Sequence, residues 1–185
     1  MKFVFFCLFV GFAPVTLLIL GVKEVHIEKL IQCEGVKTDV ELAEAILNYQ
    51  RRIMTVNSQI IVKRPVGGKI DLILELTKCR MKEEPDTCEF NSRHRVVLDC
   101  QQLHDQNKMW SEFVQHITNL SDQCPVSPGE YNMTDAPVSL RNMDRLPLGF
   151  GYWKINANGI IKKKLIFCIV AELNIEIQRI RKHKY

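Results

Sequence analysis

The sequence lacks the short motifs that mark common enzyme classes. It contains no Gly-x-Ser-x-Gly, no His-Glu-x-x-His and no glycine-rich loop of the kind that cradles phosphate. Its histidines are scattered singly, and isolated histidines are more often solvated or half-buried than ligands or bases. They are His26, His94, His104, His116 and His183. The sequence therefore predicts a protein that is not an enzyme and holds no cofactor.

Signatures of metal and nucleic-acid binding are missing as well. No Cys-x-x-Cys pair occurs, which argues against a structural zinc site. Glu83, Glu84 and Asp86 gather three carboxylates, but a short acidic loop is more often a solvated turn than a calcium site. The formal net charge of +4 is too small to indicate a polyanionic partner. We therefore expect neither a metal ion nor a nucleic acid as ligand.

The chain begins with an apolar run over residues 3–22 that contains no charged side chain. Such a run is typical of a secretory signal peptide, and it is also long enough to span a bilayer as an uncleaved anchor. A proline within the run and Gly21 near its end favour cleavage, which gives a signal peptide over 1–21. No repeat, low-complexity tract or proline-rich linker divides 22–185, so this part is predicted to form one monomeric, extracellular domain.

Six cysteines follow the apolar run, and an even number in an exported chain indicates disulfide bonds. They are Cys33, Cys79, Cys88, Cys100, Cys124 and Cys168. Two Asn-x-Ser/Thr sequons, at Asn119 and Asn132, agree with passage through the secretory route. These features predict a secreted glycoprotein with three disulfides.

Apolar and polar residues alternate over 69–79, which is the period of a strand with one buried face. Leu72, Leu74 and Leu76 lie on that face. Similar stretches, bounded by polar or glycine-containing turns, predict further antiparallel strands. They cover 25–32, 54–62, 93–98, 152–156 and 160–177. The sequence therefore predicts a mainly β fold.

Asn158-Gly159 separates the last two of these stretches and tolerates the positive φ of a tight turn, so we expect a long final hairpin there. Lys162-Lys163-Lys164 is expected to mark its exposed tip. These lysines and the basic tail over 179–184 are more often solvated than bound, but they could also contact an anionic membrane surface.

One stretch between Cys100 and Ile117 has apolar residues at spacings of three and four, which is the pattern of a helix. They are Leu103, Met109, Trp110, Phe113, Val114 and Ile117. The proline-containing run that begins at Cys124 ends the pattern. We expect this single helix to lay Trp110 and Phe113 against the sheet or across its open end.

Large apolar residues are concentrated in a predicted loop over 146–153. If Leu148 and Phe150 face solvent there, they form an exposed patch of the kind that marks a binding mouth or a membrane contact. The alternative is that they plug one end of a β-sandwich, and this is the more common arrangement.

The order of these features resembles the ganglioside-activator protein and the wider ML lipid-recognition superfamily, and most closely a group of secreted insect proteins that includes the Che-B chemosensory proteins. The resemblance extends over essentially the whole chain after the apolar run. It is carried by Val97-Leu98-Asp99-Cys100, the helix after it, Cys124-Pro125, the Tyr131 strand, Leu146-Pro147, Gly149 to Trp153, and Leu165-Ile166-Phe167-Cys168-Ile169-Val170.

The resemblance implies an immunoglobulin-like β-cup, in which two antiparallel sheets are splayed around an apolar cavity. It also implies bridges between Cys33 and Cys168, Cys79 and Cys88, and Cys100 and Cys124. A cavity of this kind holds a lipid or another small hydrophobic ligand, and chemosensory or pheromone-related transport is the role that the resemblance suggests.

The candidate residues for such a cavity or its mouth are the large apolar side chains of the predicted strand, helix and loop. They are Leu72, Leu74, Leu76, Trp110, Phe113, Leu148, Phe150 and Trp153. The alternative is an interaction protein whose sandwich is fully packed and whose surface binds a receptor or another extracellular protein.

Overall fold

A computed structural model of the protein describes residues 21–50, 53–108, 110–138 and 146–179. Within these ranges the chain is mainly β, with one α-helix, α1, over Ser111–Gln115 and two 3-10 turns over Pro85–Thr87 and Cys100–Gln102. The strands are β1 (Gly21–Gln32), β2 (Val40–Leu42), β3 (Ile46–Gln50), β4 (Ile53–Val62), β5 (Lys69–Cys79), β6 (Glu89–Asp99), β7 (Gly129–Val138), β8 (Gly151–Ile161) and β9 (Lys164–Arg179).

The strands form two antiparallel sheets. The first has the order β1-β9-β8-β5-β6. In the second, β4 pairs with β7 on one side and with both β2 and β3 on the other. Val40 of β2 lies opposite Val62, and Ile46 of β3 lies opposite Asn57. Because β2 and β3 pair with successive halves of β4, they act as one interrupted strand.

Side chains from both sheets meet in one large cluster, here called the main core. Its fully buried members include Leu76, Trp153 and Leu173 of the first sheet and Val56 of the second. The whole set is Val25, Ile27, Met54, Val56, Leu72, Leu74, Leu76, Met133, Ala136, Leu148, Trp153, Ile155, Leu173 and Ile175. Two antiparallel sheets around a shared core confirm the predicted β-sandwich with one short helix.

The three disulfides have the pairing that the resemblance implied. Cys33–Cys168 joins residues 135 positions apart and ties the segment after β1 to β9. Cys79–Cys88 closes the connection from β5 to β6, and Cys100–Cys124 clasps the ends of the segment that contains α1. The bridges therefore connect strands that are far apart in sequence as well as neighbours.

The final hairpin turns later than the sequence indicated. Asn158 and Gly159 lie inside β8, where Gly159 is opposite Phe167 of β9. The turn is made by Lys162 and Lys163, whose φ angles are 46° and 70°. The prediction of a turn at Asn158-Gly159 was wrong because the glycine instead leaves space for the ring of Phe167. The exposed lysine tip is confirmed.

Replacing Lys163 by glycine is expected to stabilise the protein by about 1 kcal/mol, because a residue with a Cβ at positive φ is strained by roughly 1–2 kcal/mol. Urea denaturation would measure the change. The matched control is Lys69→Gly at the start of β5, where a glycine only adds backbone freedom and should destabilise. A lower midpoint for Lys163→Gly would contradict the turn geometry.

The predicted helix over 100–117 is much shorter in the structure, where only the single α-helical stretch Ser111–Gln115 forms. Asp99 and Asp105 each accept a hydrogen bond from the backbone amide two residues ahead, at 3.1 and 3.0 Å. Short polar side chains that satisfy nearby amides in this way compete with the helix. The extent of the predicted helix was therefore wrong, and Met109 lies outside the described residues.

Two further predictions concern the ends of the chain. The targeting segment predicted over 1–21 lies outside the described residues except for Gly21, which begins β1. The basic tail predicted over 179–184 lies outside them except for Arg179, which ends β9. Among the residues described, no helix is both long enough and apolar enough to cross a membrane.

Candidate functional site

A cavity of about 190 Å³ lies between the two sheets at one end of the sandwich. Its described lining residues come from both sheets, from the segment between β6 and β7 and from the connection between β4 and β5, and most of them are aliphatic. They are Val40, Ile60, Val62, Val66, Ile70, Leu98, Asp99, Cys100, Leu103, Val114, Ile117, Leu120, Val126, Tyr131 and Phe167. An apolar cavity of comparable size in another protein can hold one apolar molecule.

The two sheets form opposite walls of the cavity. Ile70, near the start of β5, lies opposite Leu98, near the end of β6, and both side chains line the first wall. Ile60 and Val62 of β4 and Tyr131 of β7 line the other wall. These residues belong to the strand ends that meet at one edge of the sandwich, so the position of the cavity follows from strand register.

The segment between β6 and β7 covers this end. Its ends are fixed by the Cys100–Cys124 bridge and by a bridge in which the backbones of Val66 and Val126 exchange two hydrogen bonds, at 3.0 and 2.8 Å. Val114 of α1 is buried and faces the cavity, and Ile117 just after the helix pairs with Met133 of β7. The short helix thus supplies part of the cavity wall.

The polar side chains at the cavity are already hydrogen-bonded to the backbone. The Asp99 carboxylate accepts from the Gln101 amide at 3.1 Å, and the Tyr131 hydroxyl donates to the Ser127 carbonyl at 2.7 Å. Asp99 is the only charged residue among the described residues that line the cavity. The site can therefore bury apolar surface, but it offers little to a polar ligand group.

The predicted cavity residues lie elsewhere, and none of the eight is among the described lining residues. Leu72, Leu74 and Leu76 of β5 face inward, as expected, but they pack in the main core. Leu148 is buried there as well, and so is Trp153, which pairs with Lys78 near the far end of β5. Leu148 and Trp153 therefore fill the end of the sandwich opposite the cavity.

The remaining three predicted residues have different surroundings. Phe113 is half-buried and packs against the main core. Trp110 is also half-buried, and its indole Nε1 donates to the Leu103 carbonyl at 3.1 Å. Phe150 is 51% exposed. A contact of any of the eight with a ligand stays a prediction.

Strand alternation identified inward-facing positions, but it could not show which of them face another side chain and which face a void. Ile70 and Leu72 are on the same face of β5, yet only Ile70 borders the cavity. The difference depends on the spacing of the sheets at each level of the sandwich. The signal that could have found the site is the segment closed by Cys100 and Cys124, which contributes several lining residues.

Outside the cavity, Tyr152 has a clearly shifted pKa. Burial raises the pKa of Tyr152 above its ordinary value, and the hydrogen bond that its hydroxyl donates to Glu172 acts in the same direction. This tyrosine therefore remains a hydrogen-bond donor on the outer face of the first sheet. No group of three or more His, Cys, Asp or Glu side chains in the described ranges is placed to hold a metal ion.

Comparison of the sequence with models of known protein families finds no match, and no curated protein matches it significantly. The cavity, the disulfides and the features of the sequence are therefore the observations that bear on function.

Proposed function

We propose that the protein is a secreted, non-enzymatic binding protein that holds a lipid or another small hydrophobic ligand between its two β-sheets. The observation that carries the proposal is the preformed cavity of about 190 Å³ with a largely apolar lining. A ligand that enters it gains about 0.8 kcal/mol for each methylene buried. Because the cavity exists before binding, little of this gain is lost in ordering the protein.

The family resemblance supports the same function. The three disulfides have the pairing expected for a relative of the ML lipid-recognition superfamily and the secreted Che-B group. Transport of a chemosensory or pheromone-like molecule is the role that we attach to this resemblance. Identification of the ligand that the native protein carries would test this role.

Secretion is supported by the predicted signal peptide, the three bridges and the position of the two sequons. Asn119 and Asn132 are both exposed, and they are close together because the Thr118 amide donates to the Asn132 carbonyl at 2.8 Å. Glycans at both positions would therefore lie close to each other on the surface of the protein.

The proposal predicts that protein secreted from eukaryotic cells carries an apolar compound and two N-glycans. Mass spectrometry of solvent extracts identifies the compound, and the intact mass before and after enzymatic deglycosylation counts the glycans. Retention of the protein inside the cells would contradict the proposed export. Solvent extracts without any apolar compound would argue against a resident ligand.

Filling the cavity tests the site itself. Val114→Phe should weaken binding of octan-1-ol at least tenfold in calorimetric titrations, because the added ring occupies the space that the ligand needs. The matched control, Val97→Phe, adds the same atoms on the exposed outer face of β6 and should bind like the wild type. Equal binding by the two variants would place the ligand outside this cavity.

The alternative function is that of an interaction protein that binds a receptor or another protein. The observation that favours it is the closely packed main core, which closes the middle of the sandwich. This alternative predicts that the wild type takes up no apolar compound.

Contact with a membrane surface would involve the exposed Lys162 and Lys163, and cosedimentation with anionic vesicles would detect it.

A further inference from the structure

The volume of the cavity restricts the ligands that it can hold. Pockets for drug-sized ligands have volumes of about 300–1,000 Å³, whereas this cavity has about 190 Å³. An engineered apolar cavity of about 150 Å³ in another protein holds one benzene molecule. By this comparison the cavity accommodates a single ring or an alkyl chain of roughly eight carbons, and a lipid with two long chains does not fit inside.

The chemistry of the lining disfavours an anionic headgroup. The Tyr131 hydroxyl and the Asp99 carboxylate are both engaged with the backbone, so neither is free to hold a ligand carboxylate. Asp99 would also repel one. Lys69, its partner across the β5–β6 pair, is exposed to solvent, where water screens its charge. A neutral ligand is not repelled by the Asp99 carboxylate and needs no charged partner.

One pair of residues determines how far the cavity extends between the sheets. Phe167 lines the cavity and also packs against the main core, so its ring stands between the two. The ring lies directly on Gly159 of the neighbouring strand, where a Cβ would come within 2.1 Å of the Phe167 Cε1 atom. Because Gly159 has no side chain, the Phe167 ring can lie against β8 and does not fill the cavity.

We infer that the cavity selects a neutral, apolar molecule of roughly eight carbons, such as a short alkyl alcohol, ester or hydrocarbon, and that Phe167, seated on Gly159, sets its maximum length. This inference rests on the proposed function, because it specifies the ligand of the same cavity.

Calorimetric titration of the full secreted protein with n-alkanols of increasing length tests the ligand class. Each added methylene should tighten binding about fourfold until the chain has roughly eight carbons, after which affinity should level off. Octanoate at pH 7.5 should bind at least tenfold more weakly than octan-1-ol. Tighter binding of octanoate would overturn the inference and leave the proposed function standing, whereas no binding of any alkanol or alkanoate would overturn the proposed function itself.

The length limit is the alkanol chain length at which affinity levels off, and two substitutions should move it in opposite directions. Phe167→Ala opens the cavity toward the main core and should lengthen the best-bound alkanol by two or more carbons. Gly159→Ala forces the Phe167 ring into the cavity and should shorten the best-bound alkanol. Phe167→Leu, which retains more of the packing, should give a smaller shift in the same direction as Phe167→Ala.

The matched control is Phe113→Ala, which removes the same ring from a side chain that packs against the main core and is not among the described lining residues. It should lower stability without changing the preferred alkanol length. An unchanged length limit in both Phe167→Leu and Gly159→Ala, or the same shift in Phe113→Ala, would overturn the role assigned to Phe167.

Discussion

Replacing Trp153 by alanine is expected to lower the free energy of unfolding by about 3–5 kcal/mol, since the indole is 2% exposed and packs within the main core. The substitution also removes the hydrogen bond from Nε1 to the Gly149 carbonyl at 2.8 Å. The Lys78 ammonium, 5.4 Å from the ring centroid, loses its aromatic partner. Guanidinium denaturation followed by far-ultraviolet circular dichroism would measure the loss.

The matched control for this substitution is Phe150→Ala, three residues earlier. Phe150 is an aromatic residue just before β8, but it is largely exposed, so its removal should change stability by less than about 1 kcal/mol. Both residues were predicted to line a binding mouth. If Trp153→Ala left stability unchanged and altered only ligand binding, Trp153 would belong to a site and not to the core.

Removing the Cys33–Cys168 bridge by replacing both cysteines with alanine is expected to destabilise the protein by about 5 kcal/mol. The bridge joins residues 135 positions apart, and the entropy that a crosslink removes from the unfolded chain grows with the length of the loop. Because domains are stable by about 5–15 kcal/mol in total, this variant should be close to unfolding at room temperature.

The same argument predicts a smaller effect for the other two bridges. Cys79–Cys88 closes a separation of only 9 residues and should contribute about 2–3 kcal/mol, and Cys100–Cys124, with a separation of 24, about 3.5 kcal/mol. Paired alanine variants measured in the same denaturant series would establish the order. Equal losses for the longest and shortest loops would contradict an entropic origin.

The regular strands could be predicted from the sequence because alternation is a local property. Residues 69–79 alternate without interruption, and the structure forms β5 over the same range. The stretches at 54–62 and 93–98 are confirmed within β4 and β6. In each case the alternation of more buried and more exposed positions was sufficient to identify the strand.

Features that depend on distant partners could not be predicted in the same way. The sequence did not indicate β2 and β3, since each is short and only partly buried and forms by pairing with β4. Gly159 suggested a turn, although its actual role is to make space for Phe167 across the hairpin. The cavity depends on how far apart two sheets stand at one end, which no single strand encodes.

The bridges have a consequence for the ligand-free protein. Cys100 lines the cavity and Cys168 follows Phe167 directly, so two of the three covalent links lie beside the empty space. Leaving apolar walls without contacts is unfavourable for the folded state. The long crosslink offsets part of this cost because it destabilises the unfolded chain. Oxidation therefore helps the vacant protein to stay folded around its hollow.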